Sequence, residues 1–315
     1  MQHLPFTLAR DNEPDYNIMR RFITGGLSNV FNRLNIAGQT KITKLYYENL
    51  EIKARKTDHV VTNICGLDAN SLYPSSFSSQ PHKFIPYSGG RMLMPGKIVD
   101  SYKCDTKETK DQALDLIKNG RDRTDYVFIA SVKGKIPTDK INYCVNFPPI
   151  IRNIDMVTDE ATLGPYMYRY LVNTNLSHDT KERKLTNLLS THGEYMAFNN
   201  YYLHFLIDEF GFIIEDIDYF IMFDAHSSFN GFVNHFMNKR IEFMNQKNGG
   251  GELFCKLILN GSYGYDIMNE EHFTEISFKD GKGCVTSHML NTYRSERKLS
   301  DDLYQVNLAK KEIKL

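Results

Sequence analysis

The sequence predicts an α+β fold, in which strand signals come first and helical periodicity follows. Strand and turn signals fill residues 80–160, and the apolar, β-branched and aromatic run 126–132 is typical of a strand. From about residue 184, apolar residues recur every three or four positions, as they do along a helix. Strand signals and helical periodicity are thus both present, as in an α+β chain.

The first strand predicted in detail, 59–67, leads into Asp68-Ala69-Asn70-Ser71-Leu72-Tyr73-Pro74-Ser75. This order indicates a strand, a carboxylate, a tight turn and a helix start. Such a junction places a carboxylate at the end of a buried strand, next to the unpaired N–H groups of a helix start, which bind phosphate. A metal ion and a triphosphate can therefore meet here. The structural alternatives are a helix cap at Asp68 and a plain turn at Tyr73-Pro74.

Two features ahead of this junction suit contact with nucleic acid. Thr24-Gly25-Gly26 is a turn signal that lets the backbone approach a ligand closely. The next segment interleaves basic residues with aromatic ones: Lys41, Lys44, Tyr46, Tyr47, Lys53, Arg55 and Lys56. That composition suits a nucleic-acid backbone with unstacked bases, and it suits a solvated amphipathic face equally well.

The elements after residue 130 are predicted from breaks and periodicity. Pro148-Pro149 marks a break, and 217–223 predicts a strand. A core-facing helix that ends near Gly211 is predicted from the aromatic stripe Tyr195, Phe198, Tyr202, Phe205 and Leu206. Two helical runs, 232–247 and 252–264, flank Asn248-Gly249-Gly250-Gly251 and predict a helical hairpin.

The second run of this hairpin carries another candidate motif. Lys256, Asn260 and either Tyr263 or Gly264 fall at i, i+4 and i+7 or i+8, so they share one stripe of a helix. A cation holds triphosphate oxygens, and an aromatic ring beside a glycine lies flat against a base pair. Taken alone, Lys256 is typical of a surface lysine. The two motifs together, in a fixed order, favour the functional interpretation.

Both motifs resemble those of one enzyme family. The segment 68–75 resembles motif A (D-x-x-S-L-Y-P-S) of family B DNA polymerases, and 256–264 resembles their motif B (K-x-x-x-N-S-x-Y-G). The segment between them and Thr24-Gly25-Gly26 look most like the protein-primed branch of viruses and linear organellar plasmids. The resemblance covers roughly 15–315. It implies DNA-directed DNA polymerase activity on a palm, an antiparallel sheet with helices that carries helical-hairpin fingers.

The same resemblance implies a division of the chain into five segments. These are 1–58, a lead-in to the palm with the template-contact turn; 59–100, palm with motif A; 101–225, palm insertion and palm helices; 226–264, fingers with motif B; and 265–315, an incomplete return to the palm.

Site roles also follow from the resemblance. Asp68 would be the catalytic metal ligand, with the Ala69 carbonyl beside it. The Ser71 and Leu72 amides would hold the triphosphate, while Tyr73 would exclude a 2′-hydroxyl. In the family, a lysine that precedes motif B in the fingers also contacts the nucleotide. Met244 stands near its expected place in this chain, so a neighbouring cation would take that role. The candidates for that cation are Lys239, Arg240 and Lys247, of which Lys239 and Arg240 are predicted nucleotide contacts. The other nucleotide contacts would be Lys256, Asn260 and Tyr263, and the DNA contacts would be Gly25, Gly26 and Gly264.

Three departures from the family pattern shape the prediction. Ile23 replaces the tyrosine of the template-binding turn, and Gly261 replaces the serine of motif B. The chemistry also needs two Mg²⁺ ions about 3.5–4 Å apart, and the later Asp-Thr-Asp hairpin that helps to hold them is missing. Asp301-Asp302 is the only candidate, although neighbours on a strand face opposite sides. We therefore expect a fragment that lacks the second catalytic aspartate; the alternative function is a non-catalytic nucleic-acid- or nucleotide-binding remnant.

Composition limits the cellular locations and the binding partners that the sequence predicts. The five cysteines are widely spaced without a C-x-x-C pair, which argues against disulfides or a zinc knuckle and indicates an intracellular location, with mitochondrial, nuclear and viral settings all compatible. No apolar run approaches about 18 residues, so no membrane contact is predicted. Lys+Arg and Asp+Glu both number 38, so the implied partners (DNA primer-template, dNTPs and a terminal priming protein) must bind local clusters. His226 and His235 are interpreted as ordinary polar residues.

Overall fold

The computed structural model describes residues 13–21, 23–28, 34–68, 71–83, 85–227, 229–266, 274–290 and 292–309. Helices and antiparallel strands are mixed in the described parts of the chain, which is consistent with the predicted α+β class. The chain divides into two compact units, Met1–Glu252 and Leu253–Leu315.

The elements are numbered here in chain order. The strands are β1 (Lys41–Glu48), β2 (Glu51–Val60), β3 (Met94–Lys103), β4 (Tyr126–Lys135), β5 (Ile150–Val157), β6 (Lys181–Leu188), β7 (Met196–Asn199), β8 (Ile213–His226), β9 (Thr274–Lys279), β10 (Tyr293–Ser300) and β11 (Leu303–Ala309). The helices are α1 (Glu13–Arg21), α2 (Leu72–Phe77), α3 (Lys107–Asn119), α4 (Ile141–Cys144), α5 (Glu160–Asn173), α6 (Asn200–Phe210), α7 (Asn230–Asn245), α8 (Gly249–Asp266) and α9 (Gly281–His288).

A four-stranded antiparallel sheet, in the order β3-β8-β4-β7, carries the core of the first unit. The strands predicted at 126–132 and 217–223 are confirmed by β4 and β8, which pair with Ile129 opposite Ile221. Phe128 and Phe220 stack at 5.2 Å and are fully buried. Residues of α3 and α6 belong to the same core cluster, among them Ile117 and Leu203.

Helix α6 begins later than the aromatic stripe predicted. Its start is set by Asn199, whose side chain accepts a hydrogen bond from the Tyr202 backbone N–H at 2.8 Å. Upstream, Phe198 lies on β7 and is buried there, so the helical interpretation of Tyr195 and Phe198 was wrong. The predicted stop is confirmed, because Gly211 ends the helix with a left-handed φ of 64°.

The helical periodicity expected from about residue 184 is also wrong at its start. Residues 181–188 form β6, which pairs with β5 along its whole length. The break predicted at Pro148-Pro149 is confirmed, because β5 begins directly after it. Over a run this short, the apolar residues of a strand and those of a helix can recur at similar spacings. The spacing alone therefore did not distinguish a strand from a helix here.

Strands β1 and β2 form a hairpin whose outer edge is covered by two side-chain amides. Asn146 accepts from the Leu45 N–H at 2.8 Å and donates to the Leu45 carbonyl at 3.1 Å. Asn142 accepts from the Tyr47 N–H at 2.7 Å and donates to its carbonyl at 3.0 Å. These paired bonds attach β1 to the region of α4.

The buried strand predicted over 59–67 is wrong. Strand β2 ends at Val60, where its partner β1 begins with Lys41. Residues 61–68 belong to no described strand, although the Val61 backbone still bonds Thr40 and Gly38. Ile64 and Leu67 are 75% and 94% exposed. An apolar run forms a strand only where a neighbour satisfies its backbone, and this run lies beyond the end of the hairpin.

In the second unit, the described strands form an antiparallel sheet in the order β10-β11-β9, with α9 packed against it. Val306 and Cys284 supply buried side chains from β11 and α9. Asp280 caps α9 by accepting from the Gly283 N–H at 2.7 Å. Among the described helices of the chain, none combines the length and apolar character that a membrane span requires.

Candidate functional site

Asp68 lies at the end of the exposed segment that follows β2. It forms no hydrogen bond or ion pair with another described residue, and Ala69 lies outside the described residues. Ser71 takes a left-handed conformation with φ 49° and precedes α2, as the predicted turn before a helix requires. Leu72 and Tyr73 are 57% and 52% exposed. A carboxylate and the start of a short helix therefore share one exposed corner of the first unit.

Helix α2 is held against the α7 region by contacts at its C-terminal end. Phe77 meets Phe229 edge to face at 6.1 Å. Just beyond α2, the Gln80 amide donates to Asn234 Oδ1 at 3.0 Å. These contacts fix the position of the motif A helix relative to the helix that carries Lys239 and Arg240.

Arg240 makes the contact that joins the predicted nucleotide-binding residues of the two helices. Its Nη1 donates to Ser71 Oγ at 3.1 Å, and its Nη2 donates to Glu252 Oε1 at 3.2 Å. Its side chain is 21% exposed, and its Nε–H is buried with no hydrogen-bond partner among the described residues. We call the set Ser71, Arg240 and Glu252 the Arg240 junction.

Within the Arg240 junction, the guanidinium is the group that can bind an anion. A guanidinium carries five N–H donors and stays ionised at every accessible pH. The described contacts of Arg240 include one carboxylate and one hydroxyl, so the group keeps donors for another acceptor. Phosphate oxygens match the planar fork of arginine and accept two parallel N–H bonds.

Lys239, the neighbour of Arg240 in sequence, is placed differently. Its ammonium bonds Glu242 Oε2 at 2.9 Å on the same helix, and it is 48% exposed. This contact lowers the pKa of Glu242 below its ordinary value. Of the two predicted cations, Arg240 is the one that contacts motif A.

The turn between α7 and α8 positions Glu252 for this contact. Asn248 Oδ1 accepts from the Gly251 N–H at 3.0 Å and starts α8. A Cβ at Gly251 would lie 2.6 Å from the Phe243 ring, so only glycine allows this approach. The two predicted helical runs are confirmed as α7 and α8, but the glycines lie inside the first turn of α8 rather than in a loop.

The motif B residues lie on α8, within the second unit. Lys256, Asn260 and Gly264 are exposed, whereas Cys255 and Leu259 are buried. The backbone of Tyr263 is helical, and its side chain lies outside the described residues. The predicted stripe is therefore the solvent-facing one, available to a ligand.

The predicted DNA contacts ahead of motif A are exposed. Gly25 and Gly26 lie in the irregular segment 23–28, where the predicted turn is not found, and added Cβ atoms there would meet no atom within 4 Å. In the β1–β2 hairpin, the basic side chains are partly neutralised. The ion pairs are Arg55–Glu48, Lys53–Glu51 at 3.3 Å and Lys41–Asp58 at 3.7 Å.

Asp301 and Asp302 form the turn between β10 and β11, not a strand. The expectation that they face opposite sides of a strand therefore does not apply. Asp302 Oδ1 accepts from the Gly281 N–H at 2.8 Å, at the start of α9. In this position Asp302 stabilises a helix start.

Sequence reasoning missed two sets of side chains. Glu252 was part of a helical run but gave no signal of its pairing with Arg240. Cys284, His288 and Glu296 form a cluster in the second unit, where a hydrogen bond to Glu296 raises the pKa of the Cys284 thiol to about 11. Cys284 and His288 are four residues apart, and this helical spacing of two ligand types was a readable signal.

Comparisons with known proteins give a weak structural similarity. No family model matches the sequence, and no curated protein matches it. Among solved structures, the chain is similar to phi29 DNA polymerase in an orthorhombic crystal form, with 16% identity and a TM-score of 0.35. The match covers 76% of this chain and 31% of that chain. The chain thus spans less than a third of that polymerase.

Proposed function

We propose that this chain is related to nucleic-acid polymerases and that the Arg240 junction binds the triphosphate of an incoming deoxynucleotide. The observation that carries the proposal is the bond from Arg240 Nη1 to Ser71 Oγ at 3.1 Å. It joins a cation of α7 to the start of the motif A helix, where the phosphates are expected. The finer assignment, DNA-directed DNA polymerase, rests on the two sequence motifs.

Binding at the Arg240 junction requires a change of partner. Glu252 is 34% exposed, so its pair with Arg240 is screened by solvent and worth at most about 1 kcal/mol. A triphosphate carries more negative charge than one carboxylate, and its oxygens can accept hydrogen bonds from two guanidinium nitrogens at once. The buried Nε–H of Arg240 also gains an acceptor when a phosphate approaches that edge of the group.

Mg²⁺ is the cofactor that we propose for this site. The exposed carboxylate of Asp68 offers oxygen atoms as metal ligands. Mg²⁺ is commonly held by one or two carboxylates together with substrate phosphates. Asp68, with the Ala69 carbonyl, would hold the ion. When bound, the ion would neutralise phosphate charge and polarise the reacting phosphoryl oxygen.

The other motif residues complete the proposal. Tyr73, exposed on α2, would pack against the sugar, while Lys256, Asn260 and Tyr263 on α8 would contact the triphosphate and the nascent base pair. Gly25, Gly26 and Gly264 would approach primer-template DNA.

Nucleotide binding by three matched chains tests the site. We expect the wild-type chain to bind a fluorescent dNTP with Mg²⁺, and Arg240→Gln to weaken binding at least about tenfold, which is about 1.4 kcal/mol. Lys239→Gln is the control, because it removes the same charge from the next residue of the same helix and should change affinity less than about twofold.

Equal losses in the two variants would contradict the site, because a general loss of positive charge would then explain them. Circular dichroism and the urea midpoint of Arg240→Gln show whether the fold survives. Arg240→Lys adds a second comparison, since it keeps the charge without the planar fork and should bind with intermediate affinity.

A second candidate function is nucleotide and nucleic-acid binding without catalysis. The observation that favours it is the engagement of Asp302 with the Gly281 N–H, which gives that carboxylate a structural task. Primer extension with Mg²⁺, compared with Asp68→Ala, separates the two functions. Extension lost in Asp68→Ala supports the polymerase; salt-sensitive retention of primer-template without extension supports the binding module.

A further inference from the structure

A cluster of three side chains in the second unit lies apart from every motif of the proposed function. Cys284 and His288 lie one turn apart on α9, and Glu296 lies on β10. One ligand atom from each residue falls within 4.8 Å of the other two. The set combines a thiol, an imidazole and a carboxylate.

The three groups already converge on one point. The Cys284 thiol donates to Glu296 Oε2 at 2.7 Å, and His288 Nε2 lies 2.5 Å from the same oxygen. Cys284 is 3% exposed, whereas the side chains of His288 and Glu296 are 47% and 32% exposed. One ligand is therefore fixed in the core of the unit, and the other two stand at its surface, where an ion can enter.

We propose that Cys284, His288 and Glu296 form a zinc-binding site that joins α9 to β10. Thiolate, imidazole and carboxylate are the three ligand types that zinc uses, and three protein ligands leave a fourth position for water or another donor. Zinc replaces the thiol proton, so binding releases a proton and leaves the ion with two anionic ligands and one neutral one.

The distances allow this change with small movements. In tetrahedral zinc sites with ordinary bond lengths, neighbouring ligand atoms lie about 3.5 Å apart. The present separations at Glu296 Oε2 are shorter, so the carboxylate and the imidazole must move apart by about 1 Å. Both side chains are exposed and can rotate. The Tyr293 ring packs 4.5 Å from that of His288 and limits the orientations that the imidazole can take.

The composition of the cluster selects the metal. Magnesium and calcium prefer oxygen ligands, whereas a thiolate favours zinc. The site is therefore chemically distinct from the Mg²⁺ site proposed at Asp68.

Metal titration of the full chain tests the proposal. Reduced protein is stripped with a chelator, transferred to metal-free buffer and titrated with Zn²⁺ in competition with a chromophoric chelator. We expect one zinc per chain, and at least a tenfold loss of affinity in Cys284→Ala and in His288→Gln. Cys65→Ala and His235→Gln are the controls, because both residues are exposed and outside the cluster, and each should keep wild-type affinity.

Cobalt(II) gives an independent readout. The wild type and Cys65→Ala should show a thiolate-to-cobalt charge-transfer band, and Cys284→Ala should lack it. His288→Gln replaces an exposed side chain, so its result stands even if Cys284→Ala fails to fold. The proposal is overturned if the wild type binds no zinc, or if His288→Gln binds it as tightly as the wild type; the cluster is then a hydrogen-bonded link between α9 and β10.

Discussion

In the four-stranded sheet of the first unit, Phe128 and Phe220 stack in a fully buried core, whereas the Arg240 junction is made of polar contacts between partly exposed groups. The sheet contains no residue of either motif. The junction contains one motif residue, Ser71, and its described contacts are polar. Burial of apolar area drives folding, and polar contacts at partial exposure add little net stability. The stability of the unit and its ligand chemistry therefore lie in different residues and can be changed separately.

The largest effect is expected in the sheet. Phe128→Ala should lower the free energy of unfolding by about 3–5 kcal/mol, because it leaves a cavity beneath His204 and Phe220. Urea denaturation measures the loss. Leu67→Ala is the control, since Leu67 is 94% exposed and its truncation should change stability by less than about 0.5 kcal/mol. Similar losses in both would remove the contrast between core and motif segments.

The next largest effect is expected where Gly251 lies close to the Phe243 ring, beside the Arg240 junction. Gly251→Ala should destabilise by about 1–3 kcal/mol, because the new methyl group would press on the Phe243 ring. Gly261→Ala, on the same helix, meets no atom within 4 Å and should stabilise by about 0.5–1 kcal/mol. The pair is compared by thermal unfolding. Stabilisation by both substitutions would show that the Phe243 ring moves away from the new methyl group at little cost in free energy.

A smaller, pH-dependent effect is expected from His204 in the core. Its Nε2 bonds the Ile117 carbonyl at 2.8 Å, its Nδ1 is buried without a partner among described residues, and burial lowers its pKa. The unfolded chain then binds a proton more readily, so stability is complete above the unfolded pKa of about 6.5 and falls as the pH drops below it. Urea midpoints from neutral to acid pH measure this slope. His204→Gln should flatten it; an unchanged slope would assign it to other groups.

The smallest effect is expected from the partner of Arg240. Glu252→Gln removes the carboxylate that competes with phosphate, so dNTP affinity should rise about two- to fivefold, within the range of a partly exposed ion pair. Fluorescence titration measures the change, with Glu242→Gln as the control on Lys239. Weaker binding in Glu252→Gln would mean that the carboxylate holds Arg240 in its binding orientation.

Local sequence signals were sufficient for the elements whose residue pattern keeps one period over a long run. The β-branched and aromatic runs predicted β4 and β8, and the helical periodicity predicted α7 and α8. The run 59–67 was misread, since an apolar segment does not reveal whether a strand will pair with it. Its carboxylate, Asp68, consequently lies at an exposed corner rather than at the end of a buried strand.

The candidate site was readable as two segments, but its geometry was not. Lys239 and Arg240 are adjacent cations on one helix, so their sequence positions alone cannot rank them. The choice depends on Ser71, which lies 169 residues earlier in the chain. In contrast, Cys284 and His288 show the spacing of one helical turn, and a search for mixed ligand pairs would have found them.

The amides of Asn142 and Asn146 restrict how the β1–β2 hairpin can associate. They occupy the N–H and C=O groups of Leu45 and Tyr47 at which another strand would join β1. An unprotected sheet edge is a template for aggregation, and side chains that imitate a neighbouring strand close it without adding one. On this side the hairpin cannot extend into a larger sheet with a second chain.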